Sequence, residues 1–226
     1  MRVLIFGATG MVGQGVLREC LLAQDVEQVL CVGRTSLKHP DAKLVEVVTK
    51  NLHDLSSVEE KLRGFDACFF CLGVSSAGMT EAQYRHLTYD LTISAAQTLV
   101  RLNPGMSFVY VSGAGTDSTE QGRSMWARVK GATENGLMKM PFRAAYMFRP
   151  GVILPMDGIK SKTRVYRIFY DILGPLLRPI RGFVPSMATT RSIGQAMLAV
   201  ARHGSGGKIV EAAAINALAE GKSSGA

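Results

Sequence analysis

The chain contains no run approaching eighteen consecutive apolar residues, so no stretch reads as a membrane-spanning helix. The first apolar stretch begins two residues after Met1, which leaves no room for a secretory leader and predicts a cytoplasmic protein. Histidine is sparse: His39, His53, His86 and His203 stand at no ligand spacing, and no metal site is expected. Cysteine is also scarce, at Cys20, Cys31, Cys68 and Cys71. Cys68 and Cys71 bracket two phenylalanines in a run that reads as a buried strand, where side chains three apart point to opposite faces. They are therefore expected to be ordinary buried thiols and not a redox or zinc pair. Acidic residues are nearly absent between Lys160 and Arg191, where Asp171 alone faces seven bases, and that stretch carries most of the net charge of +8. An anionic substrate, a solvated helix face or the rim of a phosphate-bearing cofactor accounts for this excess more simply than an anionic membrane surface or a nucleic acid, and nucleic-acid binding is not expected. Repeats and low-complexity linkers are absent too. A chain of 226 residues, 47% hydrophobic, can bury one substantial core, so residues 1–221 are expected to form one domain, with a disordered tail over 222–226.

What is present starts at the N-terminus. Val3, Leu4, Ile5 and Phe6 are too few for a buried helix and read as a buried strand. Gly7, Ala8, Thr9, Gly10, Met11, Val12 and Gly13 then turn it into a helix beginning near Met11. This spacing suits a phosphate cradle. Gly7 allows the turn, Gly10 removes the Cβ that would strike a diphosphate, and Gly13 lets helix and strand approach. The first-turn amides and the positive helix end then face the anion.

Val29 to Val32 form a second strand that ends at Gly33 and Arg34. In dinucleotide-binding folds the residue at this point faces the adenosine ribose, and an acid there selects NAD. Arg34 offers instead a guanidinium fork suited to a 2′-phosphate, so NADP(H) is favoured over NAD(H). Asn51 and Leu52 follow a third strand, residues 44–48, at the expected place of the adenine ring. A short helix over 57–62, a fourth strand ending at Cys71 and Leu72, and a loop from Gly73 come next. One long helix is expected over 81–102, a fifth strand ending at Ser112, a helix from about Ser124 carrying Trp126 and Lys130, and a sixth strand over 142–148 running into Arg149, Pro150, Gly151 and Val152. The alternation predicts an α/β fold, a doubly wound parallel sheet with helices on both faces. Residues 155–187, basic and aromatic, are expected to form a small C-terminal substrate lid, followed by a closing helix over 192–203 and an edge strand over 208–213.

The glycine turn, Gly33 with Arg34, Asn51 with Leu52, Cys71 with Leu72 and Gly73, Ser112 with Gly113, Lys130 with Gly131, and Arg149 with Pro150 and Gly151 together resemble the atypical and extended short-chain dehydrogenase/reductase superfamily. The likeness is to its NAD(P)H-binding branch, which includes the Tat-interacting protein and bacterial epimerase-like relatives. It spans about residues 1–215 and implies a Rossmann fold. It also implies cofactor contacts at Gly7, Thr9, Gly10, Met11, Val12, Gly13, Arg34, Asn51, Leu52, Cys71, Leu72, Gly73, Ser112, Lys130, Pro150, Gly151 and Val152. By resemblance, Ser112 would orient a carbonyl and Lys130 would hold the nicotinamide ribose. The tyrosine that usually gives the proton is replaced by Trp126, whose indole N–H donates a hydrogen bond but is no acid near neutral pH. Tyr84, Tyr89 or a water on Ser112 would then supply the proton, or an easily reduced acceptor would need none. The expectation is an NADP(H)-dependent oxidoreductase acting on a small carbonyl or quinone-like acceptor. The alternatives are a non-catalytic NADP(H)-sensing protein with a protein partner and, last, a sugar-nucleotide epimerase.

Overall fold

A computed structural model describes residues 1–159 and 187–222. The elements are β1 (Arg2–Phe6), α1 (Met11–Leu22), β2 (Gln28–Gly33), β3 (Leu44–Val48), a 3-10 turn (Ser56–Leu62), β4 (Ala67–Phe70), α2 (Glu81–Arg85), a π turn (His86–Asp90) and α3 (Leu91–Leu102). Then follow β5 (Ser107–Val111), α4 (Met125–Met138), β6 (Ala144–Arg149), β7 (Val152–Leu154), β8 (Met187–Thr189), α5 (Thr190–His203), β9 (Ile209–Glu211) and α6 (Ala212–Ala219).

Seven strands pair in parallel in the order β3-β2-β1-β4-β5-β6-β9. This is the doubly wound Rossmann sheet, and its order reverses between β1 and β4, where ligands of such sheets enter. The strands read as apolar runs because both faces are covered: Val3 to Phe6 are entirely inaccessible to solvent. Val3, Ile5, Phe69 and Phe148 face the core under α1, α5 and α6, while Leu4, Phe6, Phe70 and Phe108 face the core under α3 and α4. Cys68 lies in the second core and Cys71 packs against the first, so the two sulfurs point apart, and all four cysteines are free.

Several elements differ from expectation. The helix expected over 81–102 begins as a capped helix, with Thr80 Oγ1 accepting from Gln83 N and Gln83 Oε1 from Thr80 N, but one π turn interrupts it. The segment over 57–62 is a 3-10 turn and not an α-helix. The last sheet strand is only Ile209–Glu211, because the following alanines, strong helix formers, continue as α6. A second, two-stranded parallel sheet of β7 and β8 was not anticipated. Of the lid expected over 155–187, only 155–159 and Met187 fall within the described residues, and the tail over 223–226 falls outside them. Arg191, from the basic stretch, is paired with Asp157 at 2.5 Å, with Arg18 3.7 Å from the same carboxylate. That base therefore anchors the chain after β7 to α1 and α5.

Candidate cofactor-binding site

At the carboxyl end of β1 the backbone turns through Gly7, whose φ of +82° is accessible to few residues other than glycine. A Cβ there would lie 2.7 Å from Leu72 N. Gly10 N donates to Gly7 O at 2.9 Å and closes the turn. A Cβ on Gly13 would sit 2.1 Å from Gly7 O, so glycine here is what lets α1 start against the turn. Gly10 differs: among the described residues a Cβ on it would meet Gly7 O alone, at 3.3 Å, a close contact but no collision. Gly10 is also the residue preceding α1, no side chain caps the helix, and no acid stands in the first turn. The amides of Met11, Val12 and Gly13 have no intrahelical carbonyl to reach. A bare positive helix end beside an uncrowded glycine fits a diphosphate.

Two clefts flank this turn. The first, about 470 Å³, is lined by Gly7, Thr9, Gly33, Arg34, Val47 and Leu52, among others. Arg34 is exposed at the end of β2, and Leu52 is buried as an apolar wall. An acid does line this cleft, Glu46 on β3, but its carboxylate accepts from Ser36 Oγ at 3.2 Å and from Leu37 N at 2.7 Å. It holds the loop after Arg34 and is occupied in doing so. Asn51 is placed differently from expectation: it is exposed, it does not line this cleft, and its Oδ1 accepts from His53 N at 3.0 Å, which ties the side chain to its own turn.

The second cleft, about 510 Å³, lies on the other side of the turn between Gly10, Met11, Val12, Cys71, Gly73, Ser112, Lys130, Pro150 and Gly151. Leu72 lines both clefts. Val152 faces away and is 42% exposed, whereas Ile153 lines the wall, because neighbours along a strand point to opposite sides. Val74 and Ser75 also line this cleft and had no sequence signal beyond their loop.

Ser112 is buried, and its hydroxyl donates to Phe148 O at 3.0 Å. A hydroxyl has one proton, so in this arrangement Ser112 offers the cleft only lone pairs. Lys130 Nζ donates to the backbone carbonyl of Ser112. Lys130 lines the cleft beside Gly113, with Nζ 4.0 Å from where a Cβ on that glycine would stand. Burial brings its pKa down to about 8, against an opposing pull from Glu134 one turn further along α4. Trp126 is not among the residues lining the cleft; the edge of its indole packs over Gly115. Neither tyrosine considered as a substitute acid lines the cleft. Tyr84 is 2% exposed and its phenol is pushed upward by burial, while Tyr89 sits under the Arg85 guanidinium at 4.1 Å.

The family described as NAD(P)H-binding matches residues 7–140. Protein FMP52, mitochondrial, of Eremothecium gossypii is 30% identical over 156 residues, 68% of this chain and 67% of its own. Protein HTATIP2 of Rattus norvegicus is 26% identical over 155 residues, 67% of this chain and 62% of its own. Among solved structures, Gre2 of Candida albicans in complex with NADPH superposes with a TM-score of 0.68 at 13% identity, over 90% of this chain and 75% of that one; this likeness shows the fold. The cytoplasmic placement expected from sequence is corrected: the fungal relatives are named mitochondrial proteins. That expectation had rested on the absence of membrane spans and of a secretory leader, and neither specifies a compartment.

Proposed function

The chain belongs to the NAD(P)H-binding family, and from that premise we propose that it is an NADP(H)-dependent oxidoreductase of the atypical short-chain type, acting on a small carbonyl or quinone-like acceptor. The observation that carries the reading is the continuity of the site. The clefts holding Arg34 and Lys130 meet at Leu72 on either side of an uncrowded glycine turn, an arrangement that suits the two halves of one dinucleotide.

In this reading Arg34 grips the 2′-phosphate, the amides of Met11 and Val12 hold the diphosphate, and Lys130 holds the nicotinamide ribose. When bound, the cofactor supplies hydride to an electrophilic carbon. Ile153, Val74 and Cys71 give that end an apolar wall against which the nicotinamide ring can lie.

Incubating the purified protein with NADPH and a panel of aldehydes, ketones and quinones should oxidise the cofactor above background. Bound but unoxidised NADPH across the panel would favour the second reading, a non-catalytic sensor, which the placement of Trp126 outside the cleft supports. Cofactor choice has its own test. Arg34→Asp should weaken NADP+ at least about tenfold, roughly 1.4 kcal/mol, and turn the preference toward NAD+ in calorimetry. Unchanged NADP+ affinity would remove Arg34 from the site.

A further inference from the structure

Reduction of a carbonyl needs a proton as well as a hydride, and the usual tyrosine is missing. Among the described residues lining the second cleft, Cys71 and Lys130 alone carry titratable side chains. Burial raises the Cys71 thiol far beyond any useful range, with Cys31 adding to the effect. The Ser112 proton is spent on Phe148 O. Lys130 has three protons, one of them on Ser112 O; among the described residues the other two have no acceptor, which leaves one for the nicotinamide ribose and one for a substrate oxygen.

Building on the reductase reading above, we propose that Lys130 is a catalytic residue in its own right, the proton donor at this site. As hydride from bound NADPH adds to the acceptor's carbonyl carbon, the C=O π pair passes to oxygen, and that oxygen takes a proton from the Lys130 ammonium. The neutral amine left behind is reprotonated by water.

The surroundings of Lys130 fit the task. On α4, Glu134 stands one turn away and is paired with Arg149 of β6; Cys71 comes from the end of β4, and the Tyr110 phenol of β5 lies near Glu134. Among the described residues Glu134 is the one carboxylate acting on Lys130, and its charge is shared with Arg149, so desolvation wins and the ammonium is a far stronger acid than an exposed lysine. A donor titrating near 8 is matched to neutral chemistry in a way that one near about 10.4 is not.

The test combines pH profiles with a direct titration. With an acceptor found by the panel, kcat should be level below pH 8 and fall as pH rises through about 8, because the protonated amine is the active form. Lys130→Arg keeps the charge without a proton to give and should lose about 10²-fold in kcat along with the alkaline limb. Lys130→Ala should be rescued by small primary amines in proportion to their acidity, a response that a purely structural lysine would not produce. NADPH binding and melting temperature, measured on each variant, separate chemistry from misfolding.

The second readout needs no turnover. In lysine-labelled protein free of cofactor, the Lys130 nitrogen resonance, identified by its loss in Lys130→Arg, should titrate within about one unit of 8. A midpoint at the ordinary value of about 10.4 would overturn the assignment. So would a Lys130→Arg variant that kept the wild-type rate and limb, and in that case the reductase reading would stand. NADPH bound by the wild type but never oxidised would overturn both.

Discussion

Replacing Gly10 with valine is expected to abolish detectable binding of NADP+ and NAD+ alike while leaving the fold in place. Two glycines three residues apart behave oppositely here. A side chain at Gly13 would be driven into Gly7 O at 2.1 Å, so its glycine is required by the protein alone. At Gly10 the backbone is ordinary, with φ of −80°, and the nearest atom to an added Cβ is Gly7 O at 3.3 Å. Valine there caps a helix poorly and presses its Cβ against Gly7 O, a cost of about 1–2 kcal/mol, which is a melting shift of roughly 2–8 °C for a chain of this size. Its methyl groups would occupy the space that the diphosphate needs against the first turn of α1. A loss of at least about 100-fold in affinity, near 2.7 kcal/mol, should appear in calorimetry. Gly13→Val should instead lower the melting temperature severely. Normal dinucleotide binding by Gly10→Val would move the diphosphate off this turn.

The parts of this molecule that could be read from its residues are those where local chemistry and tertiary role coincide. Val3 to Phe6 and Ala67 to Phe70 are strands because a parallel sheet covered on both faces needs unbroken apolar runs. Gly7 and Gly13 announce the turn because a Cβ at either would strike backbone, and the spacing then places Gly10 beside the helix start. The π turn at His86–Asp90 left no mark, since one extra residue in a helix barely disturbs an amphipathic pattern. The β7 and β8 pairing joins segments more than thirty residues apart, and such register is set by the assembled sheet, not by three-residue runs. Site details depended on contacts across the fold. Asn51 is claimed by His53 N, Ile153 and not Val152 faces the cleft, and the Ser112 proton is taken by Phe148 O on the neighbouring strand. No pattern within a single segment records these competitions. The departure at Trp126 was visible, yet its consequence, a cleft whose useful acid is Lys130, required knowing which side chains share a wall.

Glu134→Ala should be among the most destabilising single changes in the protein. Glu134 is wholly buried, and its carboxylate accepts from Arg149 Nε at 3.0 Å and from a second guanidinium nitrogen at 2.5 Å. Only 11% of the Arg149 side chain is exposed. Removing the carboxylate strands a guanidinium whose remaining partners among the described residues are Ser118 Oγ at 2.6 Å and the exposed Glu211 at 3.4 Å. Breaking a buried pair from one side costs about 3–5 kcal/mol, so a melting shift on the order of 10 °C is expected in calorimetric or circular-dichroism scans. The pair itself is a different quantity. Substituting both members with apolar residues of similar size should recover much of the loss, because neither charge is then left in the interior. A loss under about 1 kcal/mol for the single change would mean that water reaches Arg149. The consequence extends to the site, since the pair joins α4 to β6 immediately before Pro150, whose carbonyl accepts from Ala114 N at 2.9 Å in the cleft wall. Glu134 also favours the charged form of Lys130. With that carboxylate gone, the ammonium is held by less, its pKa falls below about 8, and the alkaline limb of turnover should move toward lower pH in whatever fraction of Glu134→Ala stays folded.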